Sequence, residues 1–108
     1  MADRAIIESV QNYLHKLSDA GLPVAFGVLF GSYAVGNPTS ESDIDLLVVS
    51  SEFDHITNRE WINKLWHIAA RTDNRIEPIP CGRNQWLTDG RTPIIAIAQN
   101  EGIKIPLS

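Results

Sequence analysis

At 108 residues the chain has room for one hydrophobic core, and 44% hydrophobic with 20% charged content is that of a folded domain rather than a disordered segment. A formal net charge of −4 argues against direct binding to a nucleic-acid backbone, which calls for a basic face. The single cysteine, Cys81, excludes an internal disulfide and a cysteine-based zinc site.

Ile6, Ile7, Val10, Tyr13, Leu14 and Leu17 recur at three- and four-residue spacing and predict an amphipathic helix over residues 3–20. Asp3 is its expected N-cap, with Gly21 and Pro23 beyond its end. Val24–Phe30 is a short, nearly continuous apolar run and reads as a buried strand. Residues 31–42 carry glycine, asparagine, proline and hydroxyl side chains and form a loop. Residues 44–49 are the second buried strand. Thr57 and Glu60 have capping-box spacing and open a second helix, whose expected apolar stripe is Ile62, Leu65, Trp66 and Ala69. Asp73 and Asn74 close it.

Residues 75–79 alternate and predict a third strand, with Pro78 marking an edge or the strand's end. Residues 80–91 read as irregular. Thr92 and Pro93 open a short helix through Ile94, Ile95, Ile97 and Ala98, stopped at Gly102, and residues 103–107 read as a last short strand. No repeat, linker or compositional break divides the chain, so residues 1–108 are expected to form one domain. No apolar run reaches the roughly 20 residues that span a bilayer, and no signal-peptide pattern opens the chain. The expectation is a cytoplasmic protein without a membrane partner.

Asp43 and Asp45 carry the chemistry. Alternate residues of a strand share a face, which puts these two carboxylates together, about 7 Å apart at the backbone. Paired carboxylates hold hard divalent cations such as Mg²⁺, which take oxygen ligands and share their remaining positions with substrate phosphates. Glu77 is the candidate third acid, since it sits mid-strand among apolar neighbours where an unpaired charge is costly. Gly31 lets the backbone approach a phosphate closely, and Ser32 offers a hydroxyl donor. His15, His55 and His67 lack metal-ligand spacing, there is no Gly-Lys-[Ser/Thr] loop, and Phe30 stands where a nucleophile elbow needs glycine.

Gly31-Ser32, ten residues, then Asp43-x-Asp45 resembles the signature of the polymerase-β-like nucleotidyltransferase superfamily, most closely its minimal nucleotidyltransferase (MNT) members. The likeness extends from the leading helix through Phe30-Gly-Ser-Tyr-Ala and Ser42-Asp-Ile-Asp-Leu-Leu-Val to Ile97-Ala-Gln-Asn-Glu-Gly-Ile. It implies an α/β fold with a small mixed β-sheet flanked by helices. It further implies Mg²⁺, as two ions, and ATP as nucleotide donor. In this likeness Asp43, Asp45 and Glu77 are the catalytic and metal-holding acids, and Gly31 and Ser32 grip the triphosphate. Val35 departs from the pattern, because many members carry a basic residue there. Phosphate affinity is then lower or supplied by Arg75, Arg83, Lys64 or a partner.

Larger relatives add a helical domain that holds the acceptor, so here the acceptor is expected to bind a shallow surface or to arrive on another protein. The resemblance implies a helical HEPN toxin, with AMP transferred to one of its tyrosines and this chain acting as antitoxin in a hetero-oligomer. Two alternatives stand beside it. One is a binding module that neutralises such a partner by contact, and the other is a transferase acting on a small molecule.

Overall fold

The computed structural model describes residues 4–31, 43–54, 59–89 and 91–107. Helix α1 (Arg4–Asp19) leads into strand β1 (Val24–Phe30) and strand β2 (Ile44–Ser50), followed by a 3₁₀ turn at Ser51–Asp54. Helix α2 (Arg59–Thr72), strand β3 (Ile76–Gly82), helix α3 (Arg83–Thr88), helix α4 (Pro93–Glu101) and strand β4 (Ile103–Ile105) complete the order. The four strands form one sheet in the order β3-β2-β1-β4. β1 runs antiparallel to β2 and β4, while β2 and β3 are parallel, so the sheet is mixed.

The two-residue period of the strands sorts the core into two layers. Leu29, Ile44, Leu46, Val48, Ile76 and Ile105 face one side and meet Val10, Tyr13, Leu14 and Leu17 of α1 with Leu65 and Ala69 of α2. Val28, Phe30, Leu47, Val49 and Cys81 face the other side, under Ile95 and Ala98 of α4 and Trp86 of α3. With both faces covered, β2 is buried at nearly every position, which is why it reads as an uninterrupted apolar run.

The predicted strands and long helices are present, with corrections. Trp66 is 49% exposed; the second helix packs instead through Trp61, Leu65, Ile68 and Ala69. Ile94 and Ile97 also face outward, leaving Ile95 and Ala98 as the buried residues of α4. β3 does not end at Pro78 but continues to Gly82, and α3 occupies much of the stretch expected to be irregular. The reason is a remote cap. Asp54 accepts the backbone N–H groups of Asn84, at 3.0 Å, and Gln85, at 3.4 Å. Those are donors that a helix start ordinarily satisfies from its own sequence. Asp3 and Thr57, the predicted helix caps, lie outside the described residues.

Gly21 adopts φ 104° just past α1, as a glycine helix stop should. β3 is an edge strand, and its prolines suit that place. Residues 76, 78, 80 and 82 direct their backbone polar groups away from β2. Pro78 and Pro80 have no N–H, the Ile76 amide donates to the Asp73 carbonyl at 3.0 Å, and the Gly82 amide donates to Gln85 Oε1 at 3.2 Å.

Candidate active site

The strand register places three residues side by side across the sheet: Phe30 of β1 opposite Asp45 of β2, and Asp45 opposite Glu77 of β3. All three have the parity of the layer covered by α3 and α4. The next row in that layer is Val28, Leu47 and Ile79, and the row beyond it is Phe26, Val49 and Cys81. Trp86 meets Phe26 edge-on, with ring centroids 5.8 Å apart, so the aromatic cover from α3 lies over the far row. The acidic row is at the opposite end of the sheet. There Asp45 and Glu77 are half-buried and Asp43, just before β2, is exposed.

Both Asp45 and Glu77 hold their protons above the ordinary carboxylate range. Burial is the leading cause for each, and the negative charge of Asp43 adds to it. Asp45 and Glu77 are register partners, and Glu77 is near enough to both aspartates for each to raise its proton affinity. Acids crowded together, with Asp45 and Glu77 raised in proton affinity, are what a divalent cation relieves, since it supplies positive charge and takes oxygen ligands. The donor set therefore fits Mg²⁺. It is not a finished cage: among the described residues, no three His, Cys, Asp or Glu side chains are already gathered in a metal-holding group.

Gly31 completes the described site. It has φ 77°, a conformation glycine adopts freely, and it follows Phe30 directly. Its Cα lies against the Asp45 side chain, so closely that a Cβ would collide with Asp45 Oδ2. The sequence pattern located this glycine but read only a phosphate role in it. Ser32 and Val35 lie outside the described residues.

The proposed substitutes for the basic residue at position 35 are dispersed by the fold. Arg83 follows the end of β3 remote from Glu77, about 20 Å along the strand at 3.3 Å per residue. Lys64 is on α2, over the other face of the sheet, with its ammonium 4.8 Å above the Trp61 ring. Arg75 stands at the acidic end, where its carbonyl accepts the Ile44 amide at 2.7 Å. Its guanidinium donates to both carboxylate oxygens of Asp73, at 3.0 and 2.7 Å.

The sequence pattern of the nucleotidyltransferase domain family matches residues 10–102, which include β1, the acidic row and α4. A crystal structure of a toxin–antitoxin with AMP-PNP superposes with a TM-score of 0.60 at 18% identity, covering 88% of this chain and 71% of that one. A crystal structure of a candidate nucleotidyltransferase from Sulfolobus solfataricus superposes with a TM-score of 0.60 at 14% identity, covering 91% of this chain and 77% of that one. At these identities the structural likeness speaks for the fold. No curated protein matches the sequence.

Proposed function

The chain belongs to the nucleotidyltransferase domain family, and from that premise we propose a Mg²⁺-dependent enzyme that moves AMP from ATP to an acceptor hydroxyl on a partner protein. The observation that carries this reading is the pairing of Asp45 with Glu77 across β2 and β3, beside Asp43 and against Gly31. Asp43, Asp45 and Glu77 would hold the cation, and Gly31 and Ser32 would receive the triphosphate. A bound divalent cation supplies positive charge to the phosphate oxygens and the leaving group.

The chain's own part is to position and to move a proton. The acceptor oxygen forms a bond to the α-phosphorus as the bond from that phosphorus to the pyrophosphate oxygen breaks. The acceptor proton passes to a Glu77 carboxylate oxygen. A raised proton affinity suits Glu77 to this task, because a base works best when its pKa nears the working pH. The apolar rows behind the acids, Val28 with Leu47 and Ile79, keep water from the site's floor.

The likeness to a toxin–antitoxin structure with AMP-PNP supports a partner protein and an adenine nucleotide. We take the acceptor to be a tyrosine of a helical HEPN toxin, with this chain as its antitoxin in a cytoplasmic hetero-oligomer. No described helix is long and apolar enough to cross a membrane.

The test incubates the protein with α-labelled ATP, Mg²⁺ and a helical HEPN protein, chosen as the one encoded beside it where the genome holds one. Label is expected on the partner, and is expected to vanish with chelator and in Asp43→Ala, Asp45→Ala and Glu77→Ala. A partner silenced equally by wild type and by Asp45→Ala, with no label transferred, would overturn the enzymatic reading in favour of neutralisation by contact.

A further inference from the structure

We propose that Gly31 is a positioning residue for the Asp45 carboxylate, a role separate from any contact it makes with phosphate. A Cβ added at Gly31 would run into Asp45 Oδ2 and stand 3.2 Å from Asp45 Cγ. Asp45 has little freedom to retreat. It lies between Ile44 and Leu46, both fully buried, on a strand held by β1 on one side and β3 on the other. Turning the carboxylate away from Gly31 within the same row drives it toward Glu77, its register partner, which already neighbours it on that side. The absent side chain at position 31 is therefore the space that the Asp45 oxygen occupies. The turn glycine and the first acid of β2 form one unit, joined across the β1–β2 pair.

The functional consequence rests on Asp45 being a cation ligand, as proposed above; the contact itself does not. The two are separable by experiment. Mn²⁺ titrated into nucleotide-free protein reads the ligand directly, without turnover. Gly31→Ala and Gly31→Asn are both expected to lose about 10- to 100-fold in Mn²⁺ affinity, the usual loss when a ligand's support is disturbed. Asparagine tolerates positive φ far better than alanine. Near-wild-type Mn²⁺ affinity in Gly31→Asn, with loss in Gly31→Ala alone, would assign the glycine to backbone strain and overturn the proposal.

A melting-temperature cycle on metal-free protein tests the contact. The destabilisation by Gly31→Ala is expected to shrink by at least half when Asp45 is already alanine. Equal losses in both backgrounds would also overturn it. Should Gly31→Ala fail to fold alone, the cycle reads whether Asp45→Ala restores folding, and no restoration counts against the proposal. A wild-type protein that takes up no Mn²⁺, either alone or with a non-hydrolysable ATP analogue, would sink the enzymatic reading and leave the melting cycle to decide the contact.

Discussion

The Tyr13 hydroxyl donates a 2.8 Å hydrogen bond to the main-chain carbonyl of Leu65, joining α1 to α2 inside the core. Tyr13 has no solvent exposure, and burial raises its phenol's proton affinity well above the ordinary tyrosine range. Tyr13→Phe keeps the ring and removes the bond, so it is expected to cost about 1 kcal/mol. For a domain of this size that is a fall of roughly 4–8 °C in melting temperature. The wild-type fold should also weaken in alkali. The folded phenol's pKa lies above the unfolded value near 10, so stability is full below that pH and declines as pH climbs above it. Thermal melts above pH 10 measure this, and Tyr13→Phe should be the flatter of the two.

The Asp73 carboxylate accepts from α1 and from the turn that enters β3. It accepts Ser9 Oγ of α1 at 3.0 Å, the Arg75 amide at 3.0 Å and the Arg75 guanidinium at 2.7 Å. The Arg75 hydrogen bonds are the largest influence and hold its pKa at about 2, against an ordinary value near 4. A depressed folded pKa contributes stability that is complete above the unfolded value and is lost as pH falls toward the folded one. Asp73→Asn is therefore expected to melt lower than wild type at neutral pH, by about 1–3 kcal/mol in stability. The gap should close between pH 4 and 2. A gap that persists unchanged at pH 2 would show that Asp73 acts through packing instead.

The acidic row has the opposite sign. Asp45 and Glu77 have raised folded pKa values, so their contribution is favourable when protonated and is lost as pH rises through the carboxylate range. Without a divalent cation, Asp45→Asn and Glu77→Gln should therefore be more stable than wild type at neutral pH while losing transferase activity. Both groups are partly solvated, so a gain of about 1 kcal/mol is expected, measured by denaturant melts in chelator. Mg²⁺ should stabilise wild type and leave the two variants nearly unmoved.

Cys81 is buried on β3, and burial together with the nearby charges of Asp54 and Asp89 pushes its thiol up to about 11. A thiolate is the reactive form. The native protein should therefore resist a thiol-specific reagent at mildly alkaline pH and react fully once unfolded, which a chromogenic disulfide reagent reads out.

How much of this was legible beforehand differs by residue. Asp45 and Glu77 were readable because strand parity is strict: a residue's face follows from its position in the run, and both strands were evident as runs. That they stand opposite each other follows from the β2–β3 register, a relation between strands that neither run specifies alone. Trp66 departs from the expected stripe for a geometric reason. It is 100° around the helix from Leu65, on the edge of the stripe, whereas Trp61 lies four residues before Leu65 and stays over the core. Helix α3 is hidden from the sequence because its first free amides are satisfied by Asp54, about 30 positions upstream. Its only local cap is the Gln85 side chain on the Gly82 amide, with no Ser, Thr, Asp or Asn at the N-cap. The steric match of Gly31 to Asp45 is likewise a relation between strands, beyond what the turn's own residues specify.

The prolines of β3 bear on how this molecule meets its neighbours. An open sheet edge invites another chain to add a strand, the first step of runaway aggregation. Along the outer side of β3, two amides are absent at Pro78 and Pro80 and the other two, at Ile76 and Gly82, are already engaged. The far edge is only three residues long and carries Lys104 at its centre. A newly made chain can thus accumulate without its copies knitting together through their backbones. Among the described residues, that leaves side chains, on helix surfaces or at the acidic end of the sheet, as the places where selection can distinguish one companion from another.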